Sequence, residues 1–194
     1  MRVRARRKFG VRLGAGLAVG LGLVPWSGPV MASDRITLPP EYEARSSPSA
    51  RCVLELKLRP AANPHVARTT ATLLEVSAAS RKVVWTRDLP HRPRPRFAFV
   101  SDKCQVVLLD EWLNVRSALA VTVIDKNNRT LAVHDLEAVR MALDLPIGSL
   151  AAKARHGVWI QAPPVLGVQG DAVEVATGGR TLVIQLRDGA LSSR

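Results

Sequence analysis

The sequence predicts an all-β chain of antiparallel sheets, interrupted by a short helical insertion near 136–155. Two observations carry this expectation. From Arg51 onward short apolar, β-branched runs recur (CVLELKL, TATLLEV, KVVWT, RFAFV, QVVLL, ALAVTVI, RTLVIQL), each bounded by turn residues. Asp125-Lys126-Asn127-Asn128 and Thr177-Gly178-Gly179 separate such runs with residues that tolerate the positive φ of tight hairpin turns. Many short strands joined by close turns are the pattern of an all-β domain.

The N-terminal segment has a different character. Arg2, Arg4, Arg6, Arg7, Lys8 and Arg12 precede a run from Leu13 to Val24 made only of Leu, Val, Ala and Gly. Pro25 and Pro29 break that run, and Val30-Met31-Ala32 supplies small residues where a signal peptidase reads. This order predicts a cleavable bacterial export signal over residues 1–32, with the mature chain starting at Ser33. The apolar run is too short for about 30 Å of hydrocarbon, so the membrane is met only through the signal. No cysteine lies near the junction, which argues against a lipoprotein anchor. Arg6-Arg7-Lys8-Phe9 resembles the core of the twin-arginine (Tat) motif, although Ala5 precedes the pair and Gly10-Val11 follow it. Either the twin-arginine or the general secretory route then delivers the protein to the periplasm or the outside of the cell.

The whole chain has 28 basic and 16 acidic residues, a net charge of +12. Residues 1–32 hold six basic residues and no acidic ones, so 22 basic and 16 acidic residues remain, a net +6. An exported protein does not meet nucleic acid, so this balance suits either ordinary solubility or an anionic envelope polymer or protein partner. The two cysteines, Cys52 and Cys104, fall in the mature part. In an oxidising compartment they either bridge or persist as buried thiols.

Residues 33–50 contain three prolines and four serines and no sustained period, and read as a linker. The β-rich domain then runs over 51–194, with blade-like units at about 51–90, 96–136 and 156–188. In the first unit Leu54-Glu55-Leu56-Lys57-Leu58 alternates as a half-buried strand does. Aligning three hairpins (LLEV-SAAS-RKVVWTRDL, VTVID-KNN-RTLAVHDL and VEVAT-GG-RTLVIQL) places Arg81, Arg129 and Arg180 in equivalent positions. That spacing is the length of a four-stranded propeller blade.

Leu74-Glu75-Val76-Ser77-Ala78-Ala79-Ser80-Arg81-Lys82-Val83-Val84-Trp85 resembles the repeat of quinoprotein-type (PQQ-like) β-propellers, with Arg81 where glycine is usual. The resemblance implies a blade-like sheet and no quinone; no cofactor is expected. Three blades do not close a propeller of four to eight, so a partial propeller, a sandwich and closure by self-association into a homo-oligomer each fit. Between the second and third units Leu136, Val139 and Leu143 follow helical spacing, with Asp135 as cap and Pro146 as stop. A second short helix is expected within 147–155.

Candidate chemistry is sparse. His65, His91, His134 and His156 show no metal-ligand spacing, and no metal site is expected. No phosphate-binding loop or serine-nucleophile elbow occurs. Asp110-Glu111-Trp112 is the most enzyme-like cluster, yet adjacent strand residues point to opposite faces. We therefore expect a strand end with solvated acids, and hold Asp110 and Asp125 as the catalytic candidates. His91-Arg92-Pro93-Arg94-Pro95-Arg96 reads as an extended loop projecting Arg92, Arg94 and Arg96 along one exposed strip suited to phosphate or carboxylate. The leading reading is an exported, non-enzymatic binding or interaction module of the envelope. The alternatives are a glycan-directed envelope hydrolase and a half-propeller subunit that closes by self-association.

Overall fold

The computed structural model describes residues 39–194 except 60, 62–65 and 147. The predicted export signal at 1–32 and His65 lie outside the described residues. Among the described residues, twelve strands form three antiparallel four-stranded sheets. The first sheet is β1 (Tyr42–Ser46), β2 (Cys52–Arg59), β3 (Arg68–Val76) and β4 (Arg81–Asp88), each strand beside the next. The middle sheet is β5 (Pro95–Val100), β6 (Val106–Glu111), β7 (Val121–Ile124) and β8 (Thr130–His134). The third is β9 (Val165–Leu166), β10 (Ala172–Thr177), β11 (Arg180–Gln185) and β12 (Leu191–Ser193). The all-β, blade-like class is as the sequence predicts.

Side-chain parity stacks these sheets. In β6, Val106 and Leu108 join a core with Cys52, Leu54, Leu56 and Leu73 of the first sheet. The intervening Val107 and Leu109 join a second core with Val173, Val175, Leu182 and Ile184 of the third sheet. Successive strand residues point to opposite faces, so one uninterrupted run, Val-Val-Leu-Leu, fills two cores. β2 faces one core only and therefore alternates Leu with Glu and Lys. Its outward residues Glu55 and Lys57 pair with Thr72 and Thr70, while outward Val53 pairs with Leu74 and that in turn with Val83, so the outer face of the first sheet is part polar and part apolar. The first strands of the sheets converge: Arg45 and Ser46 of β1, Phe97–Val100 of β5 and Leu166 of β9 line one groove of about 440 Å³. Antiparallel sheets stacked in this way are compatible with a propeller-like arrangement.

Cys52 and Cys104 form a disulfide, with Cα atoms 5.4 Å apart. It ties β2 to the β5–β6 turn, and Ser49 donates twice to Asp102 beside it, at 2.9 and 2.6 Å. The insertion holds α1 (Leu136–Ala142), capped by Asp135 accepting from the Ala138 N–H at 2.8 Å, and one 3₁₀ turn at Ala151–Lys153.

Three expectations are corrected. Tyr42–Ser46, read within the linker, pairs with β2 from Tyr42↔Lys57 to Ser46↔Val53. Its sequence, Tyr-Glu-Ala-Arg-Ser, carries no apolar alternation because this edge strand is mostly exposed. Pro95 and Arg96, read as loop, open β5; proline is tolerated at a first strand position. Finally, the three hairpins are not equivalent. β3–β4 and β7–β8 are the last two strands of their sheets, whereas β10–β11 is the central pair of the third. The shared signature reflects hairpin-turn chemistry, as at Gly178 and Gly179 with φ of 57° and 83°, rather than place in a blade.

Candidate functional site

The predicted basic segment and the predicted acidic cluster meet at one end of the middle sheet. β5 and β6 run antiparallel, so Pro95 lies opposite Glu111, and the Trp112 N–H donates to the Arg94 carbonyl at 2.9 Å. Pairing thus brings Arg92, Arg94 and Arg96 alongside Asp110, Glu111 and Trp112. The expected exposed strip is not formed. Arg92 is exposed, with its backbone N–H held by Glu111 Oε1 at 2.9 Å, whereas Arg94 retains only 2% of its surface.

Arg94 is buried because β1 supplies a partner. Its guanidinium is ion-paired to Glu43 and donates to the Pro40 carbonyl at 3.3 Å. Burial lowers its pKa to about 10, so the guanidinium remains charged at neutral pH. Glu43 also pairs with Arg45 on the same strand. Arg96 donates to the Trp112 carbonyl and to Asn114 Oδ1, the latter at 2.5 Å. The guanidinium carbons of Arg94 and Arg96 lie 5.8 and 5.7 Å from the Trp112 ring centroid, within cation–π range.

Asp110 is not the solvated strand-end acid expected, since only 1% of it is exposed. Its backbone adopts φ 55°, a conformation that aspartate tolerates better than most residues. Oδ1 accepts from the Glu111 N–H at 2.9 Å, while Oδ2 has no hydrogen-bond partner among the described residues. Burial raises its pKa to about 6, against the opposing pull of the Glu111 and Val158 N–H groups and Arg96. Gly157 closes over it at φ 139°. A Cβ there would lie 2.9 Å from Asp110 Oδ2 and 3.1 Å from Arg96 Nε, so only glycine allows this approach.

Asp125 belongs to the other end of the sheet, beyond Ile124, which pairs with Val106. Its Oδ1 accepts from the N–H groups of Asn127 and Arg129 at 2.9 and 2.8 Å, so it shapes the β7–β8 turn. The two catalytic candidates are therefore not brought together. Among the described residues no three His, Cys, Asp or Glu side chains could hold a metal ion. No helix among them is long and apolar enough to cross a membrane.

A cleft of about 510 Å³ opens beside this cluster, lined by Glu43, Arg45, Arg96, Trp112 and His156 among others. Its cations outnumber its one lining carboxylate, which Arg94 and Arg45 already engage. Sequence reasoning missed Glu43 and His156. Glu43 sits in a stretch with no strand pattern, and His156 follows the insertion, so neither had a local signal.

No protein-family model matches the sequence, and no curated protein matches it. Among solved structures, the chain is similar to an oligogalacturonate lyase in complex with manganese, at a TM-score of 0.44 and 8% identity. The match covers 81% of this chain and 43% of that one, so the chain spans less than half its length. A similarity of this size says nothing of activity.

Proposed function

We propose that the protein is an exported, non-enzymatic binding module of the bacterial envelope, and that the cleft beside Trp112 takes the acidic groups of an anionic polymer. The observation that supports this reading is the fixed cationic surplus of the cleft. Arg96 is held against Trp112 by hydrogen bonds and ring contact, while Arg45 keeps 51% of its side-chain surface exposed. A guanidinium whose geometry is already set loses little entropy on meeting a carboxylate or phosphate. The Cys52–Cys104 bridge suits the oxidising compartment to which the N-terminal segment points.

The test is calorimetry of the chain from Ser33 with alginate, a carboxylate polymer, and with polyphosphate. Arg45→Ala should weaken binding about 10-fold at low salt, the worth of one hydrogen bond to a charged group. Arg96→Gln should weaken it at least as much with the melting temperature checked in parallel. Binding insensitive to both substitutions would remove the cleft from the reading, and shortening of either polymer during incubation would overturn the non-enzymatic assignment.

A further inference from the structure

A second basic cleft is lined by Arg155, the residue next in sequence to His156 of the first. It is about 600 Å³ in volume, with Gln161, Gly179, Arg180 and Arg194 among its other lining residues. Arg180 is oriented by donating to the Leu143 carbonyl at 2.6 Å, and Arg194 is paired with Glu174. Lys153 reaches over the β10–β11 turn, its Nζ 3.3 Å from where a Cβ on Gly179 would stand. Lys153 and Arg155 are exposed and have no ion pair among the described residues.

Consecutive residues line the two clefts, His156 the first and Arg155 the second. Their Cα atoms are only about 3.8 Å apart. The segment between them is fixed, because the N–H groups of Arg155 and His156 both donate to the Ile160 carbonyl at 2.9 Å. From Lys153 to His156 three of four residues are basic or imidazole-bearing, and no carboxylate intervenes.

We infer that the ligand is an extended polyanion lying along residues 153–156, with acidic groups in both clefts. This rests on the binding reading above and adds to it the polymeric nature of the ligand and a second subsite. A single acid fills one cleft. A chain that fills one holds its next acidic groups beside the other, so the second contact forms at high effective concentration.

The experiment compares short and long ligands in two series: alginate disaccharide against long alginate, and pyrophosphate against polyphosphate. The wild-type chain should bind the long member at least ~10-fold more tightly per chain. Lys153→Ala combined with Arg155→Ala should abolish that advantage, bringing the long ligand's affinity down to that of the short one. The series with the larger length effect identifies carboxylate or phosphate as the recognised group. Equal affinity for short and long ligands, or a length effect that survives the double substitution, overturns the inference while leaving the first cleft intact. Loss of neither length's binding in Arg96→Gln overturns the first cleft instead. Binding to anionic vesicles but to neither polymer overturns both.

Discussion

In the middle sheet, the centre of β6 and its Asp110 end are both buried, but for opposite reasons. At the centre, Val106 to Leu109 send apolar side chains alternately into two cores. Burial there releases water from hydrocarbon, and no particular partner is needed. At the end, Arg94 and Asp110 are as deeply enclosed, with 2% and 1% exposed, and burial costs free energy unless specific groups answer each charge. Glu43, Pro40 and Trp112 answer Arg94; two N–H groups and Arg96 answer Asp110 only in part. The centre tolerates any well-shaped apolar set, whereas the end depends on partners from three distant parts of the chain. A site for charged ligands can be built only in the second way.

The largest expected effect lies at the centre. Leu108→Ala should cost about 3–4 kcal/mol through lost transfer energy and a cavity. Denaturant unfolding will show this as a lower midpoint, and no change at a polar neighbour should restore it. A loss under about 1 kcal/mol would mean that the stack repacks freely, and the contrast would fail.

Arg94→Ala should cost somewhat less, about 3 kcal/mol, because it leaves Glu43 with Arg45 as its remaining ion-pair partner. Here a second substitution should help: Glu43→Gln in the Arg94→Ala background should recover part of the loss. If the double variant is no more stable than the single, the cost at this end is packing, as at the centre.

The smallest effect has the opposite sign. The Asp110 carboxyl has a folded pKa of about 6 against an ordinary 3.8, so its contribution favours folding below pH 3.8 and is lost as pH rises through 6. Asp110→Asn should therefore match the wild type near pH 4 and exceed it by about 2 kcal/mol above pH 7, allowing for incomplete burial. Buried His91 acts in the other direction: burial lowers its pKa from 6.5 to about 4, so its contribution is present above pH 6.5 and lost as pH falls through 4. The difference between variant and wild type isolates Asp110 from that background. An Asp110→Asn protein with the same pH profile as the wild type would show that the carboxyl is solvated after all.

The same contrast explains what was legible. Alternation in β2, the turn residues at Asn128 and Gly178-Gly179, the Asp135 cap and the cysteine pair each act through neighbours a few residues away or through a simple count. Arg92, Arg94 and Arg96 do not form one exposed strip because the alternating prolines do not exclude the whole segment from a sheet. Pro95 occupies the one strand position where a missing donor costs nothing. The enzyme-like look of Asp110-Glu111-Trp112 was real as a local pattern, but φ 55° at Asp110 and the approach of Gly157 turn the carboxyl inward.

By itself the sequence determined the β class, the helical insertion and the availability of a disulfide. Those depend on the period of apolar residues, on turn stereochemistry and on which residue types are present. Only the tertiary structure decided that Glu43 neutralises Arg94, that Arg96 remains for the cleft and that Arg155 and His156 face different clefts. Charge pairing depends on distance in space, and between Glu43 and Arg94, or Asp110 and Gly157, distance along the chain carries no trace of it.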